Sequence, residues 1–424
     1  MSNNGWRTVR IDELGQIITG NTPPKKNPAY FGSDYKWIKP TDIEIGKRFV
    51  PQPEEGYSEL AYQKYKNALL PKDSICIVTI GTVGEKMCMT AEPSFTNQSI
   101  NAIVPNKELF VPMYLYYLIK YNLVQVLHRN PGTSSGRHHV SKSNFSSIEV
   151  GIIESKNTQQ KIASVLSSYD DLIDTNIDRI NSLEESAKRL YQEWFVKFRF
   201  PGHENVSMVD SELGPIPEGW KVGNLSDFCS KVIDGTHDSP KSTDSGFHLI
   251  TGKHLVNGFI DFSDSYLISA EEHRKVMARS KPEKGDIIFS NIGTLGSIAL
   301  VDQDFEFSIK NVALFKPQVP ELSSFLFVYF SSSENLYGMQ QRASGTSQRF
   351  FSLKFLRELP MIIPPNKLVI AFDDLMSYQL VKRSFLNSKN QQLCAARDLL
   401  LPKLISGQLD VSELDIATEE MVTA

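Results

Sequence analysis

The sequence predicts a mixed α/β protein in which one unit is used twice, the copies joined by two long antiparallel coiled-coil helices with pseudo-two-fold symmetry. Three observations carry this. Ile80-Gly81-Thr82-Val83-Gly84 returns as Ile292-Gly293-Thr294-Leu295-Gly296, 212 residues later in a chain of 424. Short Val/Ile/Phe-rich runs open each half, as strands do. Each half then ends in a long stretch of helical periodicity.

The repeat reaches well beyond the glycine turn. "WRTVRIDELGQIITGNTP" from Trp6 matches "WKVGNLSDFCSKVIDGTH" from Trp220, an offset of 214. "PGTSSGR" from Pro131 matches "SGTSQRF" from Ser344, offset 213, and "FSSIEVGII" from Phe145 matches "LRELPMIIP" from Leu356, offset 211. Independent motifs would not keep order and spacing in this way, so the pattern is one duplicated unit.

Within each half the elements follow in order. "SICIVTIG" and "SINAIVP" in the first half, and "GDIIFSNIG" and "NVALFKP" in the second, read as strands. "MYLYYLIKYNLVQVLH" and "SSFLFVYFSSSENLYGMQ" read as apolar helices. Residues 1–155 form the first α/β domain and 156–200 the first long helix, which has no Pro or Gly from Asn157 to Phe198. Its apolar seam runs Ile162, Leu166, Tyr169 and Ile173, then Ile180, Leu183, Ala187, Leu190 and Trp194, in steps of threes and fours. Asn176 falls on that seam, a polar residue of the kind that fixes register. Residues 201–219, rich in Gly, Pro and polar residues, are a linker. Residues 220–365 form the second α/β domain and 366–409 the second long helix, leaving 410–424 as a flexible tail. The second seam includes Phe372, Leu375, Leu386, Leu393, Leu400 and Leu404, and Pro402 kinks or ends the last turn. The first helix delivers the chain to the second domain, so a second helix packed along it must run back, which makes the pair antiparallel.

Composition sets bounds. The chain is 41% hydrophobic and 22% charged, ordinary for a globular protein. No apolar run approaches the roughly 18 residues of a membrane span. The four cysteines are scattered and the eight histidines show no ligand spacing, which predicts a reducing cytoplasm and no metal site. Net charge is −4, but unevenly placed: residues 1–155 hold 17 Lys and Arg against 14 Asp and Glu, and residues 201–365 hold 15 against 20. A DNA site must then be a local basic patch, or partner subunits must neutralise much of the phosphate charge.

Catalytic signatures are absent. The glycine repeat lacks both GxxxxGK[ST] and GxGxxG, so it reads as a tight turn with left-handed glycines, not a phosphate cradle. "TPPK" at Thr22 and "IPPN" at Ile363 lack the flanking residues of an adenine methyltransferase loop. Asp34-Tyr35-Lys36 and Glu154-Ser155-Lys156 have no partner acid for a nuclease, and no GxSxG or HExxH occurs.

Taken in order, "ELGPIPEGWKVGNLSDF" (212–228), the repeated "GTS", "NIGTLG" and "LCAARDLLLPKLISGQL" (393–409) resemble the specificity subunit of type I restriction–modification systems. The resemblance covers essentially the whole chain. It implies that each α/β domain is a target recognition domain reading one half of a split double-stranded DNA sequence. It implies that the paired helices set the spacer and dock two modification subunits, which bind S-adenosylmethionine and methylate adenine. Restriction subunits using ATP and Mg would join that core. The chain itself is expected to be non-catalytic, cofactor-free and cytoplasmic. Two departures stand out: "IIESKNTQQK" lacks the prolines of "IIPPNKLVI" before the helix, and His138-His139 stands where the second half has Phe350-Phe351.

The family supplies no fixed base-reading residues, so candidates follow from chemistry. Arg and Lys suit phosphates and guanine edges; Asn and Gln suit adenine. In the first half the candidates are Lys25, Lys26, Lys36, Lys39, Arg137, His138 and His139; in the second, His237, Lys241, Lys253, Arg342 and Arg349. Two other readings stay open on sequence alone: a standalone methyltransferase fragment, and a scaffold that binds only protein.

Overall fold

The computed structural model describes residues 5–129, 138–345 and 349–416. The chain folds as two units, residues 1–175 with 390–424, and residues 176–389.

The first unit opens with β1 (Trp6–Arg10), β2 (Gly15–Thr19), β3 (Phe31–Ile38), β4 (Gly56–Tyr57) and α1 (Glu59–Tyr65). β5 (Ile75–Val78), β6 (Met87–Met89), β7 (Ser94–Thr96), β8 (Ile100–Pro105), α2 (Pro112–His128), α3 (Lys142–Ser146) and β9 (Glu149–Ile153) follow. Then comes α4 (Lys156–Tyr191), which the unit shares up to Thr175. The main sheet is antiparallel, in the order β2-β8-β5-β6. A second sheet runs β4-β3-β7, with β3 and β7 parallel, and β1 pairs with β9. "ICIV" of β5 is wholly buried, as a strand covered on both faces should be. α2 carries Tyr114–Ile119 into the core, a run apolar all round because the helix is covered on most sides.

The second unit repeats this plan. It holds β10 (Met208–Val209), β11 (Ile216–Pro217), β12 (Lys221–Asn224), β13 (Cys229–Asp234), β14 (Phe247–Ile250), β15 (Leu255–Val256), β16 (Phe259–Ile260), β17 (Leu267–Ile268) and α5 (Ala270–Arg279). Next are β18 (Ile287–Phe289), β19 (Ile298–Leu300), β20 (Ser308–Ile309), β21 (Ala313–Pro317), α6 (Leu322–Ser331), α7 (Ser333–Gln340), α8 (Leu353–Arg357), β22 (Pro360–Ile363) and α9 (Asn366–Ile405), which the unit shares up to Lys389. The main sheet is β13-β21-β18-β19, the second β17-β14-β20 with β14 and β20 parallel, and β12 pairs with β22. Each is the counterpart of a sheet in the first unit. The single apolar helix expected over 323–340 is two, because Ser332 leaves helical dihedrals and its hydroxyl caps Asn335 N–H.

The long helices pair antiparallel inside each unit. In the first, Asp170 meets Arg397 and Ile173 carbonyl meets Asn390, so α4 advances as α9 retreats. In the second, Glu184 meets Arg383 and Tyr191 packs on Phe372. Ile162, Leu166, Ile173, Asn176, Ile180 and Trp194 are buried on α4, and Phe372, Leu386 and Leu404 on α9. Tyr169, Leu183, Leu190, Leu393 and Leu400 are half-buried at the seam margin. Leu375 is a correction: it is 49% exposed, and its neighbour Met376 takes the buried place at 1%. The true step from Phe372 is four, then four again to Leu380. α4 also ends short of the glycine-free stretch: after Tyr191 the turn widens to a π-helix over Gln192–Val196, and Phe198 is left-handed with φ 58°. Pro402 lies inside the last turn of α9, which runs three residues past it.

Candidate nucleic-acid interface

Antiparallel pairing brings three loops to one end of the first unit's main sheet: those after β2, before β8 and after β5. Gly20 N–H donates to Ile100 carbonyl at 3.2 Å and Thr79 N–H to Ser99 carbonyl at 2.8 Å. The loop after β2 is anchored at Asn21, whose carbonyl accepts from Trp37 Nε1 (3.2 Å) and Tyr57 Oη (2.9 Å). Beneath the loops, Asn101 bonds both Thr19 and Thr79 hydroxyls. Thr22 Oγ1 reaches across to Gln98 Oε1 at the surface.

The glycine repeat is part of this edge. Gly81 and Gly84 have φ of 93° and 80°, Gly293 and Gly296 79° and 93°, so all four take the left-handed region the turn requires. Gly81 N–H donates to His138 carbonyl at 3.0 Å, and Val140 N–H to Thr79 carbonyl at 2.8 Å. Ile292 bridges Phe350 in the matching way. A side chain at Gly84 would meet Leu127 Cβ at 2.9 Å, and one at Gly296 would overlap Leu336, so each turn also seats against a helix.

In the second unit the loop after β13 meets the loop before β21. Gly235 N–H donates to Val312 carbonyl (2.9 Å) and Asn311 N–H to Thr236 carbonyl (3.1 Å). His237 Nε2 lies 2.6 Å from Asp234 Oδ2, and its Nδ1 lies 2.9 Å from Asn311 Oδ1. Asp234 also takes Arg279. Burial alone would raise the Asp234 carboxyl pKa, but the bonds from Arg279 and His237 outweigh it and hold the group below its ordinary value. Lys310 Nζ bonds Ser239 Oγ at 2.7 Å.

The structure gathers some sequence candidates at these edges and not others. Lys25 and Lys26 are exposed in the loop after β2, and His138 and His139 are exposed beside the first glycine turn. Arg137 lies outside the described residues. His237 sits at the second edge, Lys241 is exposed four residues on, and Arg349 precedes Phe350 and donates to Gln340 carbonyl. Arg342 lies over the Phe355 ring at 5.2 Å. Lys36, Lys39 and Lys253 are already in ion pairs, with Glu92 (2.6 Å), with Glu54 and Glu55 (3.0 and 2.8 Å), and with Asp264 (2.8 Å). Sequence reasoning counted cations and passed over Thr22, Gln98, Asp234, Arg279, Lys310 and Asn311. Asn311 carried one readable signal: an Asn just ahead of a strand run suits a turn, and the structure places it there in the left-handed region, with φ 53°.

Among the described residues no group of three or more His, Cys, Asp or Glu side chains is placed to hold a metal ion, and no helix is long and apolar enough to cross a membrane. The outer face of α9 in the second unit carries Tyr378, Val381 and Phe385, exposed by 71%, 67% and 57%. Their three–four spacing makes one stripe on the side away from Phe372, Met376 and Arg383.

A family model described as the type I restriction modification DNA specificity domain matches residues 3–185 and 217–368. The MjaIX type I restriction enzyme specificity subunit of Methanocaldococcus jannaschii is 27% identical over 422 residues, 96% of this chain and 94% of that protein. The HindI specificity subunit of Haemophilus influenzae is 32% identical over 165 residues, 38% of this chain and 35% of that protein. The crystal structure of the type I restriction–modification S subunit from M. genitalium matches with a TM-score of 0.56 at 15% identity, covering 95% of this chain and 97% of that one. That last likeness is one of fold.

Proposed function

The chain belongs to the type I restriction–modification DNA specificity family, and from that premise we propose that its two α/β domains, residues 1–155 and 220–365, each read one half of a bipartite double-stranded DNA target. The chain is a specificity subunit and performs no chemistry of its own. Its long helices, 156–200 and 366–409, set the number of base pairs between half-sites and dock the partners. Those partners are two modification subunits, which bring S-adenosylmethionine and methylate adenine, and restriction subunits that use ATP and Mg. The complex works in the cytoplasm. The observation that carries this reading is the loop edge built twice, once per unit, on the same sheet order with different side chains. A reader of two unlike half-sites needs that combination: one scaffold and two surfaces.

The exposed apolar stripe of α9 supports docking on the helices, since a stripe of that size facing water is a partner surface more often than a lone exposed side chain is. Partner subunits that bring cations to the phosphates would also reconcile a net charge of −4 with DNA binding.

Exchanging residues 220–365 for those of a relative and mapping methylated adenines in cells with the full complex tests the reading. One half of the methylated sequence is expected to change and the other to stay. A change in both halves, or in neither, overturns it.

A further inference from the structure

We propose that the loop preceding the central strand of each main sheet holds a base-reading amide, Gln98 in the first unit and Asn311 in the second, each set in place by a residue of the facing loop, Thr22 or His237. The proposal rests on the two-reader function above and names the residues that carry it.

The backbone frame at this place is the same in both units. Gly20 and Gly235 donate to Ile100 and Val312. A side chain at Gly20 would strike Thr96 carbonyl oxygen at 2.2 Å, and one at Gly235 would strike Ile309 carbonyl oxygen at 2.3 Å. The two loops therefore meet at backbone contact in both units, and glycine is what allows it. On this shared frame the side chains differ. Thr22 faces Gln98 in one unit; His237 faces Asn311 in the other. Where a duplicated scaffold is kept and its chemistry changes, two copies can recognise different sequences.

The residue types fit base edges. An amide offers a donor and an acceptor on one small plane, which matches adenine N7 and N6 in the major groove. The bond from Thr22 to Gln98 uses Oε1, whose second lone pair still accepts, and leaves Nε2 to donate. His237 Nδ1 lies 2.9 Å from Asn311 Oδ1, a contact that leaves Nδ2 clear. Fixing one atom of the amide also fixes which way the other faces, so an adenine is told from a guanine by the orientation of the plane. Thr22, Gln98 and His237 are exposed and Asn311 is half-buried, as side chains that approach a base edge must be accessible. His237 is held in turn by Asp234, itself held by Arg279, so the second reader is braced through three residues.

His237 is a positioning residue: it acts on the base through Asn311. Its removal should relax the same base pair that Asn311 reads, where a merely structural role would lower all methylation evenly.

The test uses the full chain with its modification subunits, and reads methylation of a library of sites randomised in both halves. Asn311→Asp keeps the oxygen that faces His237 and replaces the donor, while Asn311→Gly keeps the left-handed backbone without the side chain. Each is expected to lower discrimination at one base pair of one half-site by about tenfold or more, the worth of one bidentate base contact. The other half-site should be unchanged, and His237→Ala should affect the same base pair. Gln98→Glu and Gln98→Ala should do this in the opposite half. Unchanged base preference in the Asn311 and Gln98 variants overturns the assignment of these residues, as does an even loss at all sites. Relaxation in both halves from one substitution overturns instead the reading that each domain serves its own half-site.

Discussion

Asp170 of α4 and Arg397 of α9 face each other in the first unit with both side chains more than nine-tenths buried. Tyr117 donates to the same carboxylate at 2.6 Å, so the buried acid has two partners. At the matching place in the second unit the seam is apolar, with Ala187 and Leu380 in one core cluster. The two helix pairs are thus built on one spacing with different contents. An acid that finds its base 227 positions away specifies which segment of α9 it accepts, as buried polar residues do for register in coiled coils.

Replacing Asp170 with Ala should destabilise the chain by about 3–5 kcal/mol, because Arg397 would remain buried without its acid. Asp170→Leu with Arg397→Met should cost far less, since well-packed apolar residues often replace a buried pair without loss. Urea unfolding of the single and double variants decides. A double variant as weak as the single would show that packing, not charge, is what the site needs.

This pair also marks what the sequence could and could not show. The strand runs and the two long helices were legible because each is a local period, and the repeat because its motifs keep order and spacing across the two halves. Asn176 was legible as a polar break in an apolar seam, and it is buried, only 5% exposed. Asp170, Arg383 and Arg397 were not, because a search for apolar steps discards charged residues and their partners lie far off in sequence. Leu375 misled for the opposite reason: it is apolar and nearly in phase, yet Met376 is the one that packs. The loop edges were half legible. Glycine turns announced themselves, while the ion pairs of Lys36, Lys39 and Lys253 with neighbouring acids did not.

Arg383 tests the second seam. Its guanidinium bonds Glu184 and the Asn257 carbonyl (2.7 Å) and lies 3.6 Å from the Phe259 ring centroid, with the residue 1% exposed. Lysine has one head group and cannot fork to both oxygens while stacking on the ring. Arg383→Lys is expected to cost about 2 kcal/mol or more in urea unfolding, of the order of losing a charged hydrogen bond. Arg383→Lys as stable as the parent would mean that the fork is not used.

The glycine turns separate strain from crowding. Gly81→Ala places a methyl in open space at a positive φ, so it should cost only the left-handed penalty, roughly 1–2 kcal/mol. Gly84→Ala adds a clash with Leu127 Cβ, which cannot swing away, and should cost about 1–3 kcal/mol more. Equal losses in the two variants, measured by unfolding, would show that the turn does not seat against α2.

Asp234 gives a pH dependence. Its folded pKa lies below the unfolded value of about 3.9 because Arg279 and His237 favour the carboxylate over the burial that opposes it. A depressed acid stabilises the fold above its unfolded pKa, and that contribution is lost as pH falls through the folded pKa. The stability gap between the parent and Asp234→Asn should therefore shrink as pH falls from about 5 to below about 4. Unfolding curves across that range check it; a gap that widens in acid would give the shift the opposite sign.

The stripe on α9 separates docking from folding. Tyr378, Val381 and Phe385 point away from the core of their unit, so charge placed there strains nothing inside. Val381→Glu with Phe385→Glu should leave the unfolding free energy of the isolated chain within about 0.5 kcal/mol, as exposed substitutions usually do. At an interface the same change buries two carboxylates against apolar groups. Anchors of this kind carry about 2 kcal/mol or more each, so the affinity for a modification subunit should fall by a hundredfold or more. Co-purification and titration calorimetry with that subunit read the effect directly. A variant that folds normally and binds as the parent does would remove this face from the docking surface and leave the opposite side of the helix pair to carry it.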